Sequence, residues 1–298
     1  MPDTRRLLKE RIAGTAMLVL TAVSILLTAA IGIGLYIRSE PLLARHSLGS
    51  LLTSSVWKPM KGEFGFFPFI MGTLWVTCLA LFIALPLSLL SAIYLSEYAA
   101  PRIRRMVVPI VDLLSGIPPV VYGVWGVLFV VPLIQRSAGT DVTHFTSGYS
   151  VLAGAIVLAV MIFPLLISIL FEVFSGVPLE MKNASLSLGA TQWQTIKFVL
   201  LKKSAPGILA ATALAVSRSF GETIAVLMVC GNMPLAPHAV TDACYPLPAL
   251  IANNYGEMLS VPMYDSALLF AAFILFVIIF LFNLLSRIVL ARIEKNLV

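Results

Sequence analysis

The segment Pro206–Cys230, PGILAATALAVSRSFGETIAVLMVC, decides the fold. It is apolar for long enough to cross a bilayer, which takes about 20 residues at 1.5 Å per residue. Yet it carries Arg218 and Glu222, four residues apart. A charged side chain near the bilayer centre costs about 2.5–3.5 kcal/mol on insertion scales, so an intramembrane pair marks a candidate functional site. A helix through this segment would put positions 218 and 222 on one face, one turn apart. The alternative is a buried ion pair that only fixes helix packing. Such a pair adds little stability, because desolvation offsets the attraction.

The rest of the chain is of the same kind. Of 298 residues, 59% are hydrophobic and only 11% charged, with a mean hydropathy of +0.99. Soluble chains carry about 25% charged residues, so this is a polytopic membrane protein with all-α spans. Stretches long enough to span fall at about 12–37, 68–95, 107–134, 150–174, 206–231 and 265–290. The first follows Arg5, Arg6, Lys9 and Arg11 and is too long for a secretion-signal core of about 7–15 residues, so it is read as a retained span.

Six spans put both termini on one side. If that side is the cytoplasm, it holds Arg5, Arg6, Lys9, Arg11, Arg102, Arg104, Arg105, Lys182, Lys197, Lys202, Lys203, Arg287, Arg292 and Lys295. The opposite side holds Arg38, Arg45, Lys58, Lys61 and Arg136. The asymmetry predicts cytoplasmic termini. It also accounts for the net charge of +6 as a topology signal, with no nucleic-acid partner implied.

The chain divides into the N-terminus and first span (1–37), an external segment (38–67), a core (68–290) and a short tail (291–298). In 38–67, Trp57 and Phe64, Phe66 and Phe67 read as interfacial anchors. Residues 232–264 are external and proline-rich, and Pro246–Ala252 is apolar but too short to span, which allows a re-entrant piece. Residues 175–204, SGVPLEMKNASLSLGATQWQTIKFVLLKKS, are polar and basic. Pro178 opens a helical segment over Leu179–Leu188, Gly189 breaks it, and a second begins near Thr191. A helix–glycine–helix element of this kind suits docking of a soluble partner, although many cytoplasmic loops fold back similarly.

Pro118 and Pro119 should kink or interrupt the third stretch, with Gly116 and Gly123 easing the geometry. Broken helices at mid-membrane often line a transport site, and proline is also common in membrane helices generally. Asp112 could cap that segment or meet the Arg102–Arg105 cluster. Cys78 and Cys230 fall in membrane stretches, which argues against a disulfide framework. His46, His144 and His238 fall in different external regions, so no metal site is expected. No phosphate-cradling glycine-rich loop with Lys-Ser/Thr occurs, so ATP is not bound by that route.

Several motifs resemble a known family. Asn183-Ala184-Ser185 followed by Gly189 and Ala190 resembles the coupling motif of binding-protein-dependent ABC importer permeases, with Asn183 where glutamate is usual and Lys202 where proline is usual. Arg218-Ser219-Phe220-Gly221-Glu222-Thr223-Ile224-Ala225-Val226, Gly116-Ile117-Pro118-Pro119-Val120-Val121-Tyr122-Gly123 and Gly189-Ala190-Thr191-Gln192-Trp193 resemble the PstC family of phosphate-specific permeases. The resemblance covers about residues 65–290. It implies a type I ABC importer permease fold of six helices in a prokaryotic cytoplasmic membrane. It also implies a PstA-like permease, a PstB-like ATPase dimer holding ATP and magnesium, and a PstS-like phosphate-binding protein as partners. The chain itself would bind no cofactor and would not be an enzyme.

By that resemblance Arg218 and Glu222 lie on the substrate path, Gly116, Pro118 and Pro119 form a gate or helix break, and Asn183, Ala184, Ser185, Gly189 and Ala190 couple to the ATPase. An arginine fork suits phosphate oxygens and stays charged when desolvated. Glu222, which would repel phosphate, is expected to orient Arg218 or to meet a basic residue of the companion permease. Two rival readings remain from the residues alone: an ABC permease for another oxyanion, molybdate or sulfate, and an ion-coupled secondary anion carrier. A carrier should show internal repeats, and none is evident.

Overall fold

The computed structural model describes residues 4–137, 147–256, 261 and 263–297; His144 and Pro262 lie outside them. In chain order the helices are α1 (Thr4–Leu43), α2 (Leu48–Thr53), α3 (Phe67–Ile93), α4 (Pro101–Ser115), α5 (Pro119–Trp125), α6 (Val131–Ser137), α7 (Val151–Ser175), α8 (Leu179–Ser187), α9 (Gln192–Thr195), α10 (Leu201–Gly221), α11 (Ile224–Val229), α12 (Leu247–Asn254) and α13 (Tyr264–Leu297). A small antiparallel hairpin, β1 (Trp57–Lys58) and β2 (Glu63–Phe64), lies between α2 and α3.

Six helical runs are long and apolar enough to cross a bilayer: Glu10–Leu43, Phe67–Tyr98, Pro119–Ser137, Val151–Ser175, Gln192–Gly221 and Tyr264–Arg292. Two differ from the expected spans. The stretch 107–134 is split: α4 ends at Ser115, and the crossing helix starts at Pro119. Two adjacent prolines supply no N–H, and Pro118, which precedes a proline, is extended at φ −60°, ψ 140°. The stretch 206–231 is also split. Its helix starts earlier, because a π-helical turn at Ile196–Leu200 carries α9 into α10, and it stops at Gly221.

α3 and α7 pack most extensively and form the centre of the main core. They approach closely at Gly154 of α7, where a Cβ would lie 3.3 Å from Val76 Cγ1 of α3, and Ala80 and Ala84 of α3 are buried in the same core. Small residues let membrane helices come close without a solvent-driven hydrophobic force. α1 packs on α13, where Tyr36 meets Phe273 at 5.8 Å between ring centroids. Most of α1's other apolar side chains are exposed, as lipid contact allows.

The aromatics of residues 38–67 pack within the protein. Trp57 packs edge-on against Phe64, Phe66 and Phe69, Phe66 meets Phe270, and Phe64 and Phe66 are buried in a second core with α12 and α13. Edge-to-face ring pairs of this kind add about 0.5–1.5 kcal/mol beyond the area they bury. Asp112 lies inside α4 and, among the described residues, neither caps the segment after Pro118 nor pairs with Arg102–Arg105; it accepts a 2.7 Å hydrogen bond from Ser168 on α7. Arg104 instead donates to the carbonyls of Leu95 and Ser96 and lies over the Phe171 ring, clamping the π turn (Tyr94–Tyr98) that ends the α3 span.

The crossing helix from Pro119 turns through a π segment at Gly126–Val130. A Cβ on Gly126 would sit 2.5 Å from Val157 Cγ2 and 2.8 Å from Val229 Cγ1, both on branched side chains that cannot swing away. Gly126→Ala is therefore expected to destabilise the protein by about 1–3 kcal/mol, read as a lower unfolding temperature in detergent. Gly34→Ala, where nothing lies within 4 Å, should leave it unchanged or slightly raised.

Candidate functional site

The two helix interruptions are neighbours. α5, which begins after Gly116–Pro118, packs along α11, which begins after Glu222–Thr223. Gly123 makes the approach possible: a Cβ there would lie 3.3 Å from Ala225 Cα and 2.6 Å from Met228 Sδ. Tyr122 spans the first break, its hydroxyl donating to the carbonyl of Leu114 at 2.8 Å. This satisfies one of the carbonyls freed where α4 ends.

Arg218 stands in the last turn of α10, where a cation meets the negative end of the helix dipole. It is exposed and makes no hydrogen bond or ion pair among the described residues. Its charge acts on both Tyr122 and Glu222. Thus Arg218 and the Gly116–Gly123 motif, distant in sequence, share one region. Ser217 beside it donates to Asn283 on α13 at 3.1 Å, which fixes this end of α10.

Glu222 does not lie one helical turn from Arg218 on a common face. α10 ends at Gly221, and Glu222 is extended at φ −72°, ψ 120°. Its Oε1 accepts from the Ala225 amide at 3.4 Å, so the carboxylate caps α11. Glycine is a weak helix former, and a carboxylate that reaches a free amide at a helix start is favoured there. The side chain also borders a small internal cavity with Thr73, Thr77 and Ser219, under Pro246 and Pro248. The four-residue spacing was a helical signal; the Gly221 and Thr223 flanking it were the signal for a break.

The predicted docking residues form a second, separate group. Roughly 25 Å of helix divides them from Arg218, taking Leu201 to Arg218 at 1.5 Å per residue. α8 ends in a Schellman motif: Gly189, at φ +85°, donates to Leu186 O, and Ala190 donates to Ser185 O. Thr191 and Gln194 then cap α9 reciprocally. Ser185 and Thr195 hydroxyls lie 3.0 Å apart and close the corner, while Asn183 and Ala184 are exposed.

This element is tied to the end of the α3 span by contacts that sequence reading missed. Lys182 Nζ lies 2.6 Å from Glu97 Oε1, with both side chains only 13% exposed, and Gln192 donates to the Glu97 carbonyl at 2.9 Å. Nothing in the local pattern links residues 85 positions apart. A lone Glu97 beside the Arg102–Arg105 run was the available hint. Leu179, Leu186, Leu188 and Trp193 are left exposed around the Gly189 corner.

Residues 84–295 match the family described as binding-protein-dependent transport system inner membrane component. The chain is 38% identical over 245 residues to the probable ABC transporter permease protein YqgH of Bacillus subtilis, covering 81% of this chain and 77% of that one. It is 31% identical over 285 residues to the phosphate transport system permease protein PstC of Haemophilus influenzae, covering 91% and 90%. Among solved structures, a bacterial alginate ABC transporter in complex with its pentasaccharide-bound periplasmic protein aligns at a TM-score of 0.67 and 18% identity over 97% of this chain and 98% of that one. An inward-facing MetNI methionine ABC transporter aligns at 0.55 and 20% identity, over 77% and 94%. With this coverage, and with six crossing helices in the same fold, the chain belongs to the binding-protein-dependent ABC transport permease family, a membrane-embedded transport component rather than a catalyst.

Proposed function

We propose that this chain is the permease subunit of an ATP-driven inorganic phosphate importer, forming half of the translocation path. The observation that carries the reading is Arg218: an exposed guanidinium in the last turn of α10, with no hydrogen bond or ion pair among the described residues. Keeping such a group in an apolar segment is costly unless it meets an anion or water, and its fork matches phosphate oxygens. The relatives named phosphate transport permeases support the choice of anion.

Several finer features follow from this proposal. A PstA-like permease supplies the other half of the path, closing over the exposed face of α10. A PstB-like ATPase dimer carries ATP and magnesium and docks on α8–α9, and a PstS-like protein delivers phosphate from outside. The lysine and arginine asymmetry supports cytoplasmic termini in a prokaryotic cell membrane. Gly116, Pro118 and Pro119 gate the path, and Glu222 holds α11 in place against α10. The Lys182–Glu97 and Gln192–Glu97 contacts carry motion from the ATPase to α3.

Two experiments test this. In sealed vesicles containing the full complex, ATP-dependent uptake of radiolabelled phosphate is expected to fall at least about tenfold in Arg218→Gln, since hydrogen bonds to charged groups are worth about 1.5–3 kcal/mol. Normal uptake by an assembled R218Q complex would reduce Arg218 to a packing role. Equal competition by molybdate or sulfate would overturn the substrate, and gradient-driven uptake by this chain alone would overturn the ABC assignment. Separately, Leu188 is 89% exposed, so Leu188→Asp should leave the unfolding temperature unchanged while the ATPase no longer copurifies. Undiminished copurification would move the docking surface elsewhere.

A further inference from the structure

α10 and α13 pack side by side as consecutive crossings, and a groove of about 790 Å³ lies between them. At one end stands Ser217, whose hydroxyl donates to Asn283 Oδ1 at 3.1 Å, while the Asn283 amide donates to Ile279 O at 2.9 Å. Those two side chains are committed to each other and to α13. From there the groove runs between Leu214, Leu209 and Leu290. Consecutive crossings are antiparallel, so it leads toward the start of α10 and the end of α13, the side on which the α8–α9 corner lies.

Two donors in this groove are uncommitted. Arg287 stands one turn beyond Asn283, about 6 Å along the α13 axis, and Ser286 is beside it. Both line the groove, and among the described residues neither makes a hydrogen bond or ion pair and no acidic side chain lines the groove. Arg287 also lies inside the apolar run Tyr264–Arg292, five residues before its end. Arg292 already supplies charge at the boundary. An arginine held further in and facing a cavity is the pattern of a substrate path.

The chemistry and the position both select an oxyanion. A guanidinium fork and a free hydroxyl offer donors to oxygens that need them. The groove begins at Ser217, adjacent in the chain to Arg218. A water takes about 30 Å³ of liquid volume, so a phosphate ion would keep part of its hydration shell here and need not be stripped among leucines.

We propose that Arg287 and Ser286 form a second binding site for inorganic phosphate, which receives the ion after Arg218 and before release to the cytoplasm. This site rests on the phosphate-import reading above. Arg287 holds two oxygens through its fork and Ser286 donates to a third. The Ser217–Asn283 contact walls the groove on the Arg218 side, so the two arginines hold the ion one after the other.

The test reads occupancy of the groove separately from transport. Leu214, 52% exposed on the groove wall, is replaced by cysteine (Leu214→Cys) in a Cys78→Ala background. The assembled complex in detergent is labelled with a charged thiol reagent across a titration of inorganic phosphate. Phosphate is expected to slow labelling, and the half-protecting concentration should rise at least about tenfold in Arg287→Gln and about threefold in Ser286→Ala. Arg218→Gln should leave it unchanged. If R287Q does not assemble, S286A decides. No protection at position 214, with phosphate uptake still lost in R218Q, would overturn this site and leave the Arg218 reading standing. Protection lost in R218Q but kept in R287Q would do the same. Intact protection with normal uptake in R218Q would instead overturn the role of Arg218 alone. Labelling that is slowed by nanodiscs of anionic phospholipid, restored in R287Q and indifferent to free phosphate would assign the groove to a lipid headgroup and overturn the proposal.

Discussion

A helix that stops inside a membrane leaves amides and carbonyls with no water to bind, and each must find a partner within the protein. Two interruptions adjoin crossing runs of this chain, Gly116–Pro118 before the run that starts at Pro119 and Glu222–Thr223 after the run that ends at Gly221. The rest of the arrangement depends on how those ends are satisfied. The prolines remove two donors at the first break, and Tyr122 reaches back to an orphaned carbonyl. At the second, the Glu222 carboxylate takes an amide of α11. The two repaired breaks then pack on each other through Gly123, which leaves Arg218 at the edge of the site.

The repair ties packing to function. Because α5 and α11 touch with almost no side chain between them at Gly123, a shift of either break must move the other. At the other end of the molecule, the corner at Gly189 is held to the end of α3 through Glu97, and α3 is half of the central α3–α7 pair. The α8–α9 corner is thus joined to the core through α3, and α10 runs from the same corner to Arg218. Both connections are continuous physical elements of the fold.

Much of this was legible in the sequence. Hydropathy alone located six crossings, and the Pro118-Pro119 and Gly189 signals marked a break and a corner, because proline and positive-φ glycine act locally. The Arg218–Glu222 spacing misled, because period counting assumes that the helix continues. Gly221 and Thr223 weaken it there, and the choice between continuing and stopping was settled by the available amide of Ala225 and the fit against α5. The ring partners of Trp57 and Phe66 were not legible, because composition cannot show which partner covers a ring. The Lys182–Glu97 contact and the Gly231–Cys244 bridge join segments remote in sequence or separated by a turn-rich loop, and local pattern carries no trace of either.

Whether the face around Arg218 meets water and phosphate is the most direct question. Gly221 sits at the end of α10, and an added Cβ there has nothing within 4 Å, so a Gly221→Cys substitution in a Cys78→Ala background gives a reporter without a clash. The rate at which a membrane-impermeant, charged thiol reagent labels this position should be measured in the reconstituted complex, with and without ATP and phosphate. Labelling that changes with the nucleotide state and slows when phosphate is added is the expected result. A position that never reacts in any state would contradict a path beside Arg218.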